Sequence, residues 1–298
     1  MTRLAAVMVL VGVTCLAAGP AQTTRFRSGA DAVRVDVQVK RGNKPVAGLT
    51  ADDFELRDSK VVQQVEAVAI EDVPVSLLLA LDTSGSVKGV LLQQLKAAAR
   101  AAVGALLEDD QAGLLTFSQR IGRPAALTHD RAAIRRAIDL MDAEGATALR
   151  DAIFTATALR EAAPGRVILL VFTDGLDTIS WLDPASVLDA ALRSDMVVYA
   201  VSSMRRRQTQ ERARFEAEPD LFPGPFLEEL AERTGGELLH ITQGAQLAPA
   251  FAGIVSDFKS RYLLTYSPRN VPAGGWHQIE VKLKRGAGTV TARRGYYR

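Results

Sequence analysis

Ser76-Leu-Leu-Leu-Ala-Leu-Asp82-Thr-Ser84-Gly-Ser86 joins an apolar run to a cluster of oxygen-bearing side chains. Residues 75–81 are almost wholly apolar, which predicts a strand buried on both faces, as in a parallel sheet covered by helices. The run ends in a carboxylate and two hydroxyls at alternate positions, just before a helical pattern begins. Open α/β folds place their ligands at the carboxyl ends of such strands. The segment therefore predicts a buried strand and then a binding loop.

Two more segments bring oxygen atoms to the same edge of the predicted sheet. A second apolar strand, residues 167–172, is followed by Asp174, and Thr147 lies at the start of a later helix. The five residues expected to converge are Asp82, Ser84, Ser86, Thr147 and Asp174. Taken singly, each hydroxyl could merely cap a helix, and Asp174 could belong to a turn. Together they favour a site for a hard cation such as Mg²⁺, Mn²⁺ or Ca²⁺ rather than zinc or copper.

Composition is that of a globular protein without a strong charge bias. The chain has 298 residues, of which 48% are hydrophobic and 23% charged, and its formal net charge is +2. This length allows one large or two smaller domains, each with a sizeable core. The near-neutral charge gives no electrostatic footprint for nucleic acid or for an anionic membrane.

Residues 1–21 have the pattern of a secretory signal peptide. Arg3 precedes an apolar run over residues 4–18, and small residues surround a cleavage point expected after Ala21. The only cysteine, Cys15, lies inside this segment, so the mature chain would carry no thiol. No later run approaches the roughly 20 apolar residues of a membrane span. We therefore expect export to the periplasm or outside the cell, with an uncleaved anchor as the alternative.

The middle of the chain alternates between strand and helix patterns. Besides the two buried strands, short strands are predicted at residues 113–117, 196–201 and 237–241. Helical spacing of apolar residues occurs at 87–107, 130–141, 148–162, 184–193, 225–233 and 247–258. This alternation predicts an α/β domain with a mostly parallel sheet between helix layers.

The two ends of the chain are β-rich instead. Valines alternate with polar residues over 33–40, a pattern typical of a half-buried strand. Further strands are predicted at 54–56, 61–70, 261–266, 277–283 and 289–293. Three strands at each end are too few for two separate cores. We expect residues 30–72 and 257–298 to form one small β-sandwich with the α/β domain, residues 73–256, inserted between them; two separate β appendages are the alternative.

The quoted residues resemble the metal-ion-dependent adhesion site of von Willebrand factor type A (VWA) domains, which combines a DxSxS loop with a later Thr and Asp. The flanks resemble those of secreted bacterial proteins of the von Willebrand factor A-related type. In those proteins a segment like Gly48-Leu-Thr-Ala-Asp-Asp-Phe54 precedes the domain, and one like Arg261-Tyr262-Leu-Leu-Thr-Tyr266 follows it. The resemblance implies a Rossmann-like fold and a divalent ion, expected to be Mg²⁺. It implies that Ser84, Ser86 and Thr147 bind the ion, that Asp82 and Asp174 act directly or through water, and that a partner's Asp or Glu takes the open position.

Enzymatic alternatives fit the sequence less well. Haloacid-dehalogenase-like phosphotransferases also have Mg²⁺ between two strand-end Asp residues, but their second catalytic Asp corresponds to Ser84 here. The chain has no G-x-S-x-G, H-E-x-x-H or P-loop motif. The interpretation is a binding module with no catalytic residues, and a structural module with an unused site remains open.

Two features near the predicted site are each open to two interpretations. The arginines of a long polar segment are Arg205, Arg206, Arg207, Arg212 and Arg214. They form either a solvated insertion with internal ion pairs or a rim that steers acidic partners toward the ion. Asp177 either assists the site or belongs to a turn.

Overall fold

The structure, a computed structural model, describes residues 32–69, 73–160, 163, 165–203 and 223–298. The predicted signal peptide and the arginines at positions 205–214 lie outside these residues. The described residues form an α/β domain and a β-sandwich.

A mixed sheet of six strands forms the centre of the α/β domain, in the order β11-β10-β9-β6-β7-β8. All neighbours are parallel except β8, which runs antiparallel to β7. The strands are β6 (Val75–Asp82), β7 (Gln111–Phe117), β8 (Ile121–Thr128), β9 (Arg166–Thr173), β10 (Val197–Ser202) and β11 (Leu238–His240). Strands β6 and β9 are buried along their whole length because helices cover both faces of the sheet.

Within the described residues, the two covering layers consist of six helices: α1 (Val90–Gly104), α2 (Arg131–Asp139), α3 (Leu149–Leu159), α4 (Pro184–Arg193), α5 (Pro223–Thr234) and α6 (Leu247–Lys259). Helices α1, α2 and α6 pack on the face that carries Leu77 and Leu79, and α3, α4 and α5 on the face that carries Leu78 and Ala80. This division follows from the alternation of side chains along a strand. Each described helix is too short or too polar to cross a membrane.

The two chain ends together build a β-sandwich. One sheet has the order β14-β1-β12-β5 with β2 beside β1, and the other has the order β15-β13-β3-β4. The N-terminal strands are β1 (Val33–Arg41), β2 (Lys44–Pro45), β3 (Phe54–Asp58), β4 (Val61–Gln63) and β5 (Ala67–Ala69). The C-terminal strands are β12 (Tyr262–Tyr266), β13 (Trp276–Leu283), β14 (Thr289–Ala292) and β15 (Gly295–Tyr297). Each sheet contains strands from both ends, so neither end could form its sheet alone.

A buried polar cluster joins the two chain ends inside the sandwich. Asp58, at the end of β3, is completely buried, and its Oδ2 accepts hydrogen bonds from the hydroxyls of Tyr266 (2.8 Å) and Tyr296 (2.9 Å). Its Oδ1 lies 2.8 Å from His277 Nδ1. Burial alone would raise the pKa of Asp58, but the hydrogen bonds from Tyr266, His277 and Tyr296 outweigh it and lower the pKa.

The sandwich contacts the α/β domain at the amino edge of the central sheet. Arg166, the first residue of β9, forms an ion pair with Asp36 of β1, and the distance from Arg166 Nε to Asp36 Oδ1 is 2.6 Å. Lys40 pairs with Asp257 of α6 at 2.6 Å. These contacts lie at the edge opposite the carboxyl ends of β6 and β9, which leaves the predicted binding edge free of the sandwich.

The expected fold class is confirmed, with differences in individual strands. The single strand predicted at residues 61–70 is two strands, β4 and β5, in different sheets. Strands β8 and β15 had no clear pattern in the sequence. Strand β8 contains Pro124 and lies at a sheet edge, where a residue without an N–H is tolerated.

Replacing Asp58 by Ala should lower the free energy of unfolding at pH 7 by about 3 kcal/mol, because two buried tyrosine hydroxyls lose their acceptor. The loss should shrink as the pH falls below about 4, since a carboxyl with a lowered folded-state pKa stabilises the fold only while it is ionised. Denaturant titrations at several pH values measure both effects. Asp52→Ala, at an exposed position, is the control; an equal loss in both variants would show that the cluster does not link the chain ends.

Candidate metal centre

Asp82 is the buried end of the central strand β6. Its side chain is inaccessible to solvent, and both carboxylate oxygens accept hydrogen bonds. Oδ1 accepts from the backbone N–H of Ser84 at 2.8 Å, and Oδ2 accepts from the hydroxyl of Thr173 at 2.8 Å. Thr173 ends the neighbouring strand β9, so the parallel pairing of β6 and β9 brings the two side chains together. The carboxylate is thereby fixed in one orientation at the sheet edge.

A series of hydrogen bonds continues from the loop after Asp82 to Asp174. The hydroxyl oxygens of Ser84 and Ser86 are 3.0 Å apart, and Ser86 Oγ donates to Asp174 Oδ1 at 2.7 Å. Ser84 is buried, whereas Ser86 is exposed and Asp174 is half-buried. Four of the five predicted residues are therefore joined by direct contacts, and the group opens to solvent at Ser86.

Thr147 is attached to this group through its loop. Gly85 N–H donates to the carbonyl of Gly145 at 2.9 Å, and Glu144 N–H donates to the carbonyl of Thr83 at 2.9 Å. On its other side, Thr147 N–H donates to the hydroxyl of Thr178 at 3.0 Å, and the Thr147 carbonyl accepts from Thr178 N–H at 2.9 Å. The three predicted segments thus meet at one edge of the sheet.

Asp177 supports the loop that follows Asp174. It is 1% exposed, and its Oδ2 accepts from Arg150 Nε at 2.8 Å and from Arg150 N–H at 3.1 Å. Its Oδ1 accepts from Ser180 N–H at 3.2 Å. These bonds fix the loop against the first turn of α3, which favours the structural role of the two considered for Asp177.

The sequence analysis missed three residues that hold the site in place. Thr173 binds Asp82, Thr178 binds Thr147, and Asp151 binds the loop that contains Thr178. Thr173 could have been found, because it directly precedes Asp174 and is the last residue of a buried strand. Thr178 and Asp151 each bind a partner more than 25 residues away in the sequence, namely Thr147 and Leu182, and no local pattern reveals such contacts.

The electrostatics of the site favour a bound cation. Burial raises the pKa of Asp82 to about 6, and the nearby Asp174 carboxylate adds to the effect. Burial also raises the pKa of Asp174. In the described residues, no lysine or arginine forms an ion pair with either carboxylate. Two carboxyl groups whose pKa values are raised by burial, with no cationic side chain beside them in the described residues, fit a divalent cation at this position.

The donor set suits a hard ion. Every side chain in the group offers oxygen, from hydroxyl or carboxylate, as Mg²⁺, Mn²⁺ and Ca²⁺ prefer. The described part of the chain has no group of three or more His, Cys, Asp or Glu side chains that could hold a metal ion. The candidate site has only two such side chains, Asp82 and Asp174, so it would also need the hydroxyls of Ser84, Ser86 and Thr147 as ligands.

Comparisons with known proteins agree with this architecture. A mostly parallel sheet between helix layers, with polar residues at its carboxyl edge, defines a Rossmann-like α/β domain. Residues 77–176 match the family model for the von Willebrand factor type A domain. The match covers about a third of the chain and identifies a von Willebrand factor type A domain in this part of the protein. Such domains typically mediate protein interactions or adhesion and are generally not enzymes.

Individual relatives are distant or cover little of their own length. The chain is 36% identical over 95 residues to an uncharacterized protein, sll0103, of Synechocystis sp., covering 31% of this chain and 22% of that protein. It is 26% identical over 179 residues to inter-alpha-trypsin inhibitor heavy chain H4 of Sus scrofa, covering 56% and 19%. The chain thus spans about a fifth of the length of these relatives.

A solved structure supports the fold over most of the chain. A von Willebrand factor type A protein from Catenulispora acidiphila superposes with a TM-score of 0.55 at 15% identity, covering 87% of this chain and 74% of that chain. At this identity the likeness concerns the fold alone.

In the metal-free protein, Asp82→Asn should gain stability relative to wild type as the pH rises from 4 to 7. The folded-state pKa of Asp82 is about 6, above an unfolded value of about 3.9. Between these two pKa values Asp82 ionises in the unfolded chain but not in the folded protein. The free energy of unfolding of the wild type therefore falls by about 2 to 3 kcal/mol across this range, and that of the variant does not.

Denaturant titrations in chelator at pH 4, 5, 6 and 7 measure the change. The comparison between pH values removes any constant cost of altered hydrogen bonds to Thr173 and Ser84. Asp109→Asn, at an exposed position, is the control for the loss of one charge. A stability difference that stays constant from pH 4 to 7 would contradict the raised pKa.

Proposed function

We propose that the protein is an exported binding module that engages an Asp or Glu side chain of a partner protein through a divalent cation. The cation would be held in a metal-ion-dependent adhesion site by Ser84, Ser86 and Thr147, with Asp82 and Asp174 binding directly or through water. The observation that carries the proposal is the hydrogen-bonded series Asp82–Ser84–Ser86–Asp174 at the solvent-exposed carboxyl edge of the sheet.

The charge balance of the donor set explains why a partner's carboxylate would be attracted. Three of the five donors are neutral hydroxyls, so the two carboxylates at most balance the charge of a divalent cation. A bound cation supplies an electrophilic centre for one more anionic oxygen. Ser86, the exposed member of the group, lies on the side from which that oxygen would arrive. Mg²⁺, which readily keeps exchangeable waters, is the expected ion, and Mn²⁺ and Ca²⁺ are alternatives.

We also propose that the protein is not an enzyme. A phosphotransferase of the haloacid dehalogenase type would need a general acid or base two residues after Asp82. That position is Ser84, whose hydroxyl contacts Ser86 and whose N–H is bonded to Asp82. A serine hydroxyl donates and accepts hydrogen bonds but has no pKa near neutral pH, so it does not replace a carboxyl group as general acid or base.

Export is proposed from the sequence of residues 1–21. The mature protein would begin at Gln22 and act in the periplasm or outside the cell, without cysteine. A metal site built from hydroxyls and carboxylates suits such a compartment, because it has no thiolate that could be oxidised.

Ser86→Ala should weaken cation binding while leaving the fold intact. The change removes one neutral donor and adds no charge, and loss of even an indirect partner of a metal typically lowers affinity about 10- to 100-fold. Calorimetric titration of the mature protein with Mg²⁺ and with Mn²⁺ measures the change. Ser256→Ala, an exposed position on α6, is the matched control. Equal affinity in wild type and Ser86→Ala would exclude Ser86 as a ligand.

Partner binding should require the cation, the intact site and one acidic residue of the partner. A pull-down with the mature protein, in Mg²⁺ and then in chelator, would identify candidates as the proteins lost on chelation. Asp82→Ala and Thr147→Ala should abolish binding as chelation does, with near-native circular dichroism. Changing the partner's key Asp or Glu to its amide should weaken binding at least about tenfold. Surface binding with equal affinity in Mg²⁺ and in chelator would contradict the mechanism.

A further inference from the structure

Trp181 is an exposed aromatic residue at the edge that carries the metal centre. Its side chain is 95% exposed, more than any other large apolar residue in the described part of the chain. Tryptophan normally buries most of its large ring, and it is enriched among the residues that contribute most to protein–protein binding. An indole left in water on a folded surface therefore suggests a contact made only in a complex.

The backbone of Trp181 is held firmly although its ring is free. Trp181 N–H donates to both carboxylate oxygens of Asp151, at 3.1 and 3.2 Å, and Leu182 N–H donates to Asp151 Oδ1 at 3.0 Å. The preceding hydroxyl, Ser180 Oγ, accepts from Arg150 N–H at 3.1 Å. A ring on a fixed backbone loses little conformational freedom when it binds, which favours a role in recognition.

Trp181 lies close to the metal centre through a continuous set of contacts. Ile179 N–H donates to the Thr147 carbonyl at 3.2 Å, and the side chain of Ile179 is 40% exposed. Asp151, which binds the backbone N–H of Trp181, is four residues beyond Thr147 and lies in the first turn of α3. Ile179 is therefore bound to the carbonyl of the candidate ligand Thr147, and it stands two residues before Trp181 in a loop where both residues are exposed.

We propose that Trp181 and Ile179 bind an apolar side chain that the partner carries next to its metal-binding Asp or Glu. This inference rests on the proposed function and specifies the partner: a protein segment with a bulky apolar residue one to four positions from its acidic residue, which spans up to about 13 Å of extended chain. Two carboxylates belong to the same region, since Asp151 accepts from the backbone N–H of Trp181 and Asp183 caps the start of α4 two residues later. They disfavour an anionic membrane as the occupant.

The probes are short Gly-Ser peptides with one Glu and, one to four residues away, either Leu or Ser. The full mature protein carries Trp276→Phe, so that Trp181 is the only indole, because the chain has two tryptophans. With Mg²⁺, at least one Glu–Leu peptide should bind about tenfold more tightly than its Glu–Ser counterpart and should shift Trp181 emission to the blue. Trp181→Ala, followed by calorimetry, should remove the advantage of Leu. Val62→Ala, an exposed position in the sandwich, should retain it.

The outcomes separate the inference from the proposed function. Mg²⁺-dependent binding of both peptides with equal affinity, or an advantage of Leu that survives in Trp181→Ala, would overturn the role of Trp181 and leave the metal site standing. Absence of Mg²⁺-dependent binding by every Glu peptide would contradict the proposed function and the inference with it. A blue shift produced by protein concentration alone, or by lipid vesicles, would overturn the inference in favour of self-association or a membrane.

Discussion

The burial of one carboxylate at the end of β6 is the constraint on which the candidate metal centre depends. A carboxylate without access to water is unfavourable unless hydrogen bonds or a cation compensate it. Asp82 is compensated by Thr173 from the adjacent strand and by the backbone of Ser84. The Ser84 contact is local, but the Thr173 contact requires that β6 and β9 pair in parallel, and the burial of Asp82 requires that helices cover both faces of the sheet. The geometry of the site is therefore a consequence of the whole α/β domain rather than of a loop.

The sandwich depends on a second buried carboxylate, with a different balance of forces. Asp58 receives enough hydrogen bonds that its pKa is lowered, whereas the pKa of Asp82 is raised. A cation-binding site needs a carboxylate whose ionised form is not fully stabilised by the protein, so that a cation adds to its stability. A structural site needs a carboxylate whose ionised form is already stabilised by hydrogen bonds within the protein. The same residue type thus joins the chain ends at Asp58 and, in the proposed function, would bind a cation at Asp82.

The sequence predicted those parts of the structure that local periodicity determines. The buried strands β6 and β9, the covering helices and the sandwich from both chain ends followed from apolar spacing, and the meeting of Ser84 with Ser86 and Asp174 followed from parallel strand ends. Strand β8 was missed because it has no clean alternation, and the change of sheet between β4 and β5 leaves no local signal. The pairing of Asp177 with Arg150 and the exposure of Trp181 depend on tertiary contacts that no single segment encodes.

Recognition of a carboxylate through a cation alone is not selective, so the surface around a cation must supply the selectivity for a partner. Asp and Glu occur on nearly every protein surface, so affinity for a carboxylate cannot by itself select one partner. Selection needs a second contact at a fixed distance from the first. In the proposed mechanism the loop after Asp174 would meet this requirement, because Thr178 and Ile179 bind Thr147 while the backbone of Trp181 is bound to Asp151 in the first turn of α3. Since the sandwich contacts the opposite edge of the sheet through Asp36 and Arg166, both contacts can be presented to one partner at once.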